Sequence, residues 1–254
     1  MTAEYLTSAL LAARHGFFTR RGGVSTGPYA GLNCSLSGGD DPARVMQNRT
    51  LVAGAMGVKL AALVGVTQVH GADVVCVTTP WPQGSGPRAD AMVSATPGVA
   101  LGIITADCAP ALFLDPVSGI AGAAHAGWRG AAGGVLEATV LAMERLGAVR
   151  ARVVAAIGPC IAQPSYEVGD DLRDSVVPTL PDAARFFVPG LRPGHWQFDL
   201  PGYCVARLAV AGVRAAWLGA DTCADAARFF SHRRRTLASA GPIGHQISVI
   251  TVPV

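Results

Sequence analysis

Two histidines and one cysteine are the side chains here best suited to chemistry. His70 sits in Thr67-Gln68-Val69-His70-Gly71, Cys108 in Thr105-Ala106-Asp107-Cys108-Ala109, and His125 in Ala124-His125-Ala126-Gly127-Trp128-Arg129-Gly130. Two imidazoles and a thiolate are borderline-soft donors that suit Zn²⁺, with Cu²⁺ as a competitor. Three protein ligands leave a fourth position for water or substrate, which marks a catalytic rather than a structural metal site. A zinc ion there would lower the pKa of its water toward ~7. The separations, 38 residues and then 17, match no short zinc signature, so the reading rests on context. Each candidate lies where a predicted strand ends beside Gly, Ala or Pro, and small neighbours leave room for a ligand. Two plainer readings stand beside it: a hydrogen-bonded histidine at a turn, and a buried cysteine. A third makes Cys108 a nucleophile with His125 as its base. Asp107 could then orient an imidazole, although strand alternation would point it away from Cys108.

Arginines form a second signal. Arg20 and Arg21 precede Gly22-Gly23, Arg129 lies between Trp128 and Gly130, and Arg233, Arg234 and Arg235 follow Ser231-His232. A guanidinium is a planar fork suited to phosphate or carboxylate. Arg129, amid Gly and Ala near a predicted helix start, is placed to hold an anion. Arg234 and Arg235 read as solvated surface charge.

These groups need a scaffold, and the composition supplies one. Half of the 254 residues are apolar and 15% are charged, which excludes a largely disordered chain and allows a substantial core. The net charge of +3 is too mild to argue for nucleic acid or an anionic membrane. The strongest apolar stretch, 99–114, contains Asp107 and Pro110 and falls short of the ~20 residues that a membrane span requires. No basic leader precedes an apolar run at the N-terminus. The six cysteines are scattered, without a Cys-x-x-Cys pair, and read mostly as small buried hydrophobes. The expectation is a soluble cytoplasmic protein, a monomer or small homo-oligomer, that acts on a small molecule.

The elements follow from periodicity. A strand and turn are predicted over 15–36, and a helix over 40–58 with Asp41-Pro42 at its start. Strands over 63–69 and 72–78 flank a His70-Gly71 turn, and 80–88 is a Pro/Gly loop. Strands over 99–105, 111–114 and 120–125 form the core, with a turn over 115–119. A helix over 134–146 would bury Val135, Ala138, Leu141, Ala142 and Leu146. A strand over 153–157, a helix and loop over 169–188, a helix over 200–211 opened by Asp199 and Pro201, and strands over 213–218 and 246–252 complete the chain. Strands alternate with helices but hairpins intervene, so the expected fold is mixed α/β. Packed mixed sheets are flanked by helices in a single domain, 1–254.

Taken together, Thr67-Gln68-Val69-His70-Gly71, Thr105-Ala106-Asp107-Cys108, His125-Ala126-Gly127-Trp128-Arg129-Gly130 and Ile157-Gly158-Pro159-Cys160-Ile161 resemble the bacterial laccase-domain family. It is also called the polyphenol oxidase or peptidoglycan editing factor family, and it includes metal-dependent purine nucleoside phosphorylases. The segments 15–25, 39–42 with Asn48-Arg49, and 166–169 match as well, so the resemblance spans nearly the whole chain. It implies an α/β sandwich and a zinc site formed by His70, Cys108 and His125. It further implies phosphorolysis of adenosine, inosine or methylthioadenosine, with adenosine deamination in some members. Arg20, Arg129 and Arg233 are then candidates for substrate and phosphate, and Cys108, Asp107 and Arg129 for catalysis. Other members carry copper-dependent phenol oxidation or muropeptide editing, but six histidines without a His-x-His cluster are few for a multicopper site. The family's Ser-Tyr-Arg-Arg-Asp segment is replaced here by Ser231-His232-Arg233-Arg234-Arg235, and a later arginine by His245.

Overall fold

The computed structural model describes residues 2–253. In chain order the elements begin β1 (Tyr5–Leu6), β2 (His15–Phe18), α1 (Pro42–Ala55), β3 (Leu63–Val64), β4 (Val74–Cys76), β5 (Ala91–Ser94) and β6 (Ala100–Thr105). The centre holds β7 (Ala109–Asp115), β8 (Ile120–Ala126), α2 (Trp128–Ala132), α3 (Val135–Arg145) and β9 (Val154–Ile157). Then come β10 (Glu167–Gly169), α4 (Asp170–Val176), β11 (Phe187–Pro189), β12 (His195–Phe198), α5 (Leu200–Val210), β13 (Arg214–Trp217), α6 (His232–Leu237) and β14 (Gln246–Thr251).

Two large sheets lie face to face. One has the order β1-β2-β14-β6-β3 and the other β13-β9-β7-β8-β5-β4, with a third small sheet β10-β12-β11. Leu101 and Ile103 of β6, Leu112 and Leu114 of β7, and Ala121 and Ala123 of β8 fill the layer between them. The alternate residues Ala111, Phe113 and Ala124 face outward onto α3 and α5, as the two-residue period of a strand requires. On the outer face of the first sheet, Val52 and Ala53 of α1 and Met56 just beyond its end pack on Phe18, Ala100 and Val249. β7 and β8 are therefore buried on both faces, which is why they read as unbroken apolar runs. Among the described residues no helix is long and apolar enough to cross a membrane.

The mixed α/β architecture agrees with the expectation, and α1 starts where predicted: the Asp41 carboxylate accepts from Ala43 N at 2.8 Å, with Pro42 in the first turn. Three expectations change. First, 63–69 and 72–78 are not paired strands about a turn. Only Leu63–Val64 and Val74–Cys76 are strands, and they belong to different sheets. The chain crosses between the sheets because the amides of Val69, His70 and Gly71 turn to a carboxylate instead of a ladder. Second, α3 buries Val135, Leu136, Thr139, Val140 and Met143, while Leu141 is exposed. Thr139 can join the core because its hydroxyl donates to the Val135 carbonyl at 2.7 Å. Third, β7 begins at Ala109, two residues early, since Pro110 lies at a strand end and needs no donor there.

Candidate metal centre

The β7–β8 hairpin brings its open end together. Ala109 pairs with Ala126 and Pro110 with His125, so Cys108, just before β7, meets His125, just before the end of β8. His70 arrives from the crossing loop in the left-handed region, φ 61°. The ligand atoms of His70, Cys108 and His125 lie within 4.8 Å of one another, and the two imidazoles meet edge to face with centroids 4.7 Å apart. Among the described residues this is the one group of three or more His, Cys, Asp or Glu placed to hold a metal ion.

One carboxylate that sequence reasoning missed organises this arrangement. Asp90, fully buried at the head of β5, accepts from Val69 N at 3.1 Å, His70 N at 2.9 Å and Gly71 N at 2.6 Å. It also accepts from His125 Nδ1 at 2.8 Å. That bond commits His125 Nδ1 as a donor and leaves Nε2 for a metal, the usual carboxylate–histidine–metal relay. One carboxylate thus orients both histidines, His125 by its ring and His70 by its backbone. Burial opposes its charge, but His125 and the amides outweigh it and hold its pKa below the ordinary value. The one available sequence signal was an acid at the head of the apolar run Ala91-Met92-Val93, because a buried carboxylate needs partners.

The remaining supports are equally local. The Gln68 side-chain amide pairs with both backbone groups of Ile104, at 2.7 and 2.9 Å, and so ties the His70 loop to β6. Gly127 must lack a side chain: a Cβ there would lie 2.9 Å from Cys108 Sγ and 3.2 Å from His70 Cδ2. Burial alone would raise the Cys108 thiol. His125 and His70 overcome it and bring its pKa down to about 6, while burial pushes Cys34 up to about 12. His125 rises in turn, against its burial, through Cys108 and Asp90. A thiolate beside an imidazole is the charge pattern that a soft cation would complete. The donor set and the space at Gly127 therefore fit zinc or copper.

The centre lines a cavity of about 740 Å³, a size that suits a nucleoside-sized ligand. Its walls carry Arg49, Arg129 and Arg233 and one carboxylate, Asp107. Arg129 is exposed on α2 with its guanidinium over the Trp128 ring at 4.7 Å, and that guanidinium makes no hydrogen bond with another described residue. Arg233 also lines the cavity; its Nη1 donates to the Glu167 carbonyl at 2.7 Å and its guanidinium lies over Tyr166.

Two of the residues expected at the site are engaged by other parts of the chain. Arg20 does not line the cavity; its guanidinium donates to the carbonyls of Ala30 and Ala226 and lies over Phe230. Asp107 sits in a turn at φ 91°, so strand alternation does not govern it. Its carboxylate accepts from Thr222 Oγ1 at 2.7 Å, Ser231 Oγ at 3.0 Å and Arg233 N at 2.6 Å. Held by these three donors, it ties the start of α6 to the Cys108 turn. Arg234 is likewise not solvated charge, since it donates to the carbonyls of Thr222, Cys223 and Phe229.

Residues 14–253 match the family model described as multi-copper polyphenol oxidoreductase laccase. The chain is 43% identical to a purine nucleoside phosphorylase of Deinococcus radiodurans over 96% of its own length and 90% of that protein's. It is 38% identical to a purine nucleoside phosphorylase of Streptomyces griseus, covering 92% and 94%. The crystal structure of YlmD from Geobacillus stearothermophilus superposes with a TM-score of 0.88 at 32% identity, over 99% of this chain and 100% of that one.

Proposed function

The chain belongs to the laccase-like family of multi-copper polyphenol oxidoreductases, and we propose that it is a metal-dependent purine nucleoside phosphorylase. The observation that carries the reading is an open His70–Cys108–His125 centre in a cavity where Arg129 stands without a partner among the described residues. The names of the similar proteins support it. Phosphorolysis joins a phosphate oxygen to the ribose C1′ while the bond from C1′ to the purine nitrogen breaks, and the base leaves with a proton. The protein must hold an anion against a neutral nucleoside and keep both aligned. Arg129 offers a free guanidinium for the phosphate, and Arg233 adds a second positive charge to the same cavity.

His70, Cys108 and His125 would hold the metal, for which Zn²⁺ is the proposed ion, and the same donors also suit Cu²⁺. When bound, it supplies Lewis acidity at the cavity wall. Asp90 fixes the ring of His125, Gln68 anchors the His70 loop, and Gly127 keeps the approach clear. Adenosine, inosine and methylthioadenosine are the proposed substrates. The same open position suits hydrolytic deamination of adenosine.

Incubation with inosine and phosphate should yield hypoxanthine and ribose 1-phosphate, and neither product without phosphate. Metal-replete protein that releases no base from any of the three nucleosides, and no ammonia from adenosine, would overturn the reading. Phenol oxidation that tracks one bound copper per chain would replace it with the oxidase, and cleavage of a muropeptide with the hydrolase.

A further inference from the structure

Tyr166 is half-buried and lines the cavity, close enough to Cys108, Asp107, Arg129 and Arg233 for their charges to act on its hydroxyl. That hydroxyl makes no hydrogen bond with a described residue. Packing aims it instead. Tyr166 N donates to the Gln163 carbonyl at 3.2 Å, and the Tyr166 carbonyl accepts from Phe198 N at 3.0 Å. The ring is tilted against Phe198, itself fully buried, with centroids 5.8 Å apart. The Arg233 guanidinium stands 5.4 Å from the ring centroid and is held there by its bond to the Glu167 carbonyl. A tyrosine hydroxyl enclosed by protein normally finds a partner, and here the cavity is where a partner can come from.

Other polar side chains of the cavity are already engaged. Thr67 Oγ1 donates to the Gly86 carbonyl, the Gln68 amide is tied to Ile104, Asp107 is held by three donors, and His232 stands against Arg235. Burial, and then the charge on Cys108, push the Tyr166 phenol up against the opposing pull of Arg233, so it keeps its proton at neutral pH and can donate. The reaction selects the acceptor. As a phosphate oxygen joins C1′, the electron pair of the C1′–N bond moves onto the purine, and the proton that hydrogen phosphate gives up ends on the base. Negative charge therefore builds on the purine before that proton arrives. Arg129 and Arg233 bring positive charge suited to the phosphate. A neutral donor suits a ring nitrogen whose charge develops only in the transition state. Trp128 lines the same cavity, and an indole ring suits the face of a purine.

We propose that Tyr166 is a catalytic residue whose hydroxyl donates a hydrogen bond to N7 of the departing purine. This role rests on the phosphorylase reading and adds a residue to it. Tyr166→Phe keeps the ring and its packing and removes only the hydroxyl. The variant and the unaltered protein, both metal-replete, are compared on inosine and on 7-methylinosine with phosphate present. 7-Methylinosine carries a positive charge on the ring that leaves, so its base departs neutral, and its N7 has no lone pair to accept. Metal content and thermal melting are read on the same samples.

Tyr166→Phe should lower kcat on inosine by roughly 10- to 100-fold and leave the KM for phosphate within about twofold. Its release of 7-methylhypoxanthine should stay within about twofold of the unaltered rate, because that base needs no donor. An equal loss on both nucleosides would mark Tyr166 as scaffold and overturn the role. Full activity on inosine would overturn it too, as would a loss confined to the KM for phosphate. All three results leave the phosphorylase reading standing. Unaltered protein that releases neither base overturns that reading, and the role of Tyr166 with it.

Discussion

Asp90, at the head of β5 beside the open end of the β7–β8 hairpin, and Asp115, at the hairpin's closed end, start from the same physics. Both are fully buried at 0% exposure. Both collect backbone amides: Asp115 takes Val117 N at 3.0 Å and Val149 N at 2.9 Å, and Asp90 takes three from the His70 turn. Both are held below the ordinary carboxylate range although burial opposes it, Asp115 chiefly by Arg152 and Asp90 chiefly by His125. They differ in what the cationic partner does next. Arg152 ends on the Asp115 carboxylate at 2.9 Å, with the rest of its surface toward solvent. His125 has a second ring nitrogen, and beyond it lie Cys108, His70 and the cavity. A buried acid alone does not separate scaffold from site. A partner with an unused face toward a cavity does.

The contrast can be broken by substitution. Cys108→Ala removes the thiolate and should abolish stoichiometric metal binding, with activity down by more than ~10²; metal analysis and turnover on one sample check it. Asp115→Asn should cost about 2–3 kcal/mol of unfolding free energy, because it weakens a buried pair, and leave metal affinity unchanged in a competition titration with a chelator. Asp90→Asn should show the opposite emphasis, with metal affinity falling by roughly 10- to 100-fold. If the two asparagine variants behave alike, the distinction between the ends is wrong. Gly127→Ala places a methyl against Cys108 Sγ and should weaken metal binding by about tenfold, roughly 1.4 kcal/mol, with little change in melting temperature.

Acid sharpens the same point. The native pKa of Asp115 is depressed, so its stabilisation is complete above the unfolded value near ~3.9 and is lost as pH falls from there through the native value. Unfolding free energy followed below pH ~4 should fall less steeply in Asp115→Asn than in the unaltered protein.

Residue type made part of the site legible. His70, Cys108 and His125 are rare donors in small-residue settings, and the strands carrying Cys108 and His125 are long apolar runs. Asp90 was illegible because its partners come from 20 and 35 residues away, and a single acid at a strand head carries no period. In one dimension Arg20 looks like an anion-binding residue and Arg234 like solvated surface charge. In three dimensions, backbone carbonyls occupy both, for Arg20 one from Ala226 far along the chain and for Arg234 those of Thr222, Cys223 and Phe229. The small sheet β10-β12-β11 escaped for a different reason: its strands have three or four residues, with Gly169 and Pro189 at their ends. α6 was hidden by its three arginines, which mask a short helix started by Ser231 and fixed by Asp107.

The most direct test of the metal-dependent phosphorylase is a titration of Zn²⁺ into metal-stripped protein, with hypoxanthine release from inosine and phosphate measured at each point. Release should rise with added metal, saturate at one equivalent per chain, and be absent throughout in Cys108→Ser. Full release by the stripped protein, or by Cys108→Ser, would contradict it.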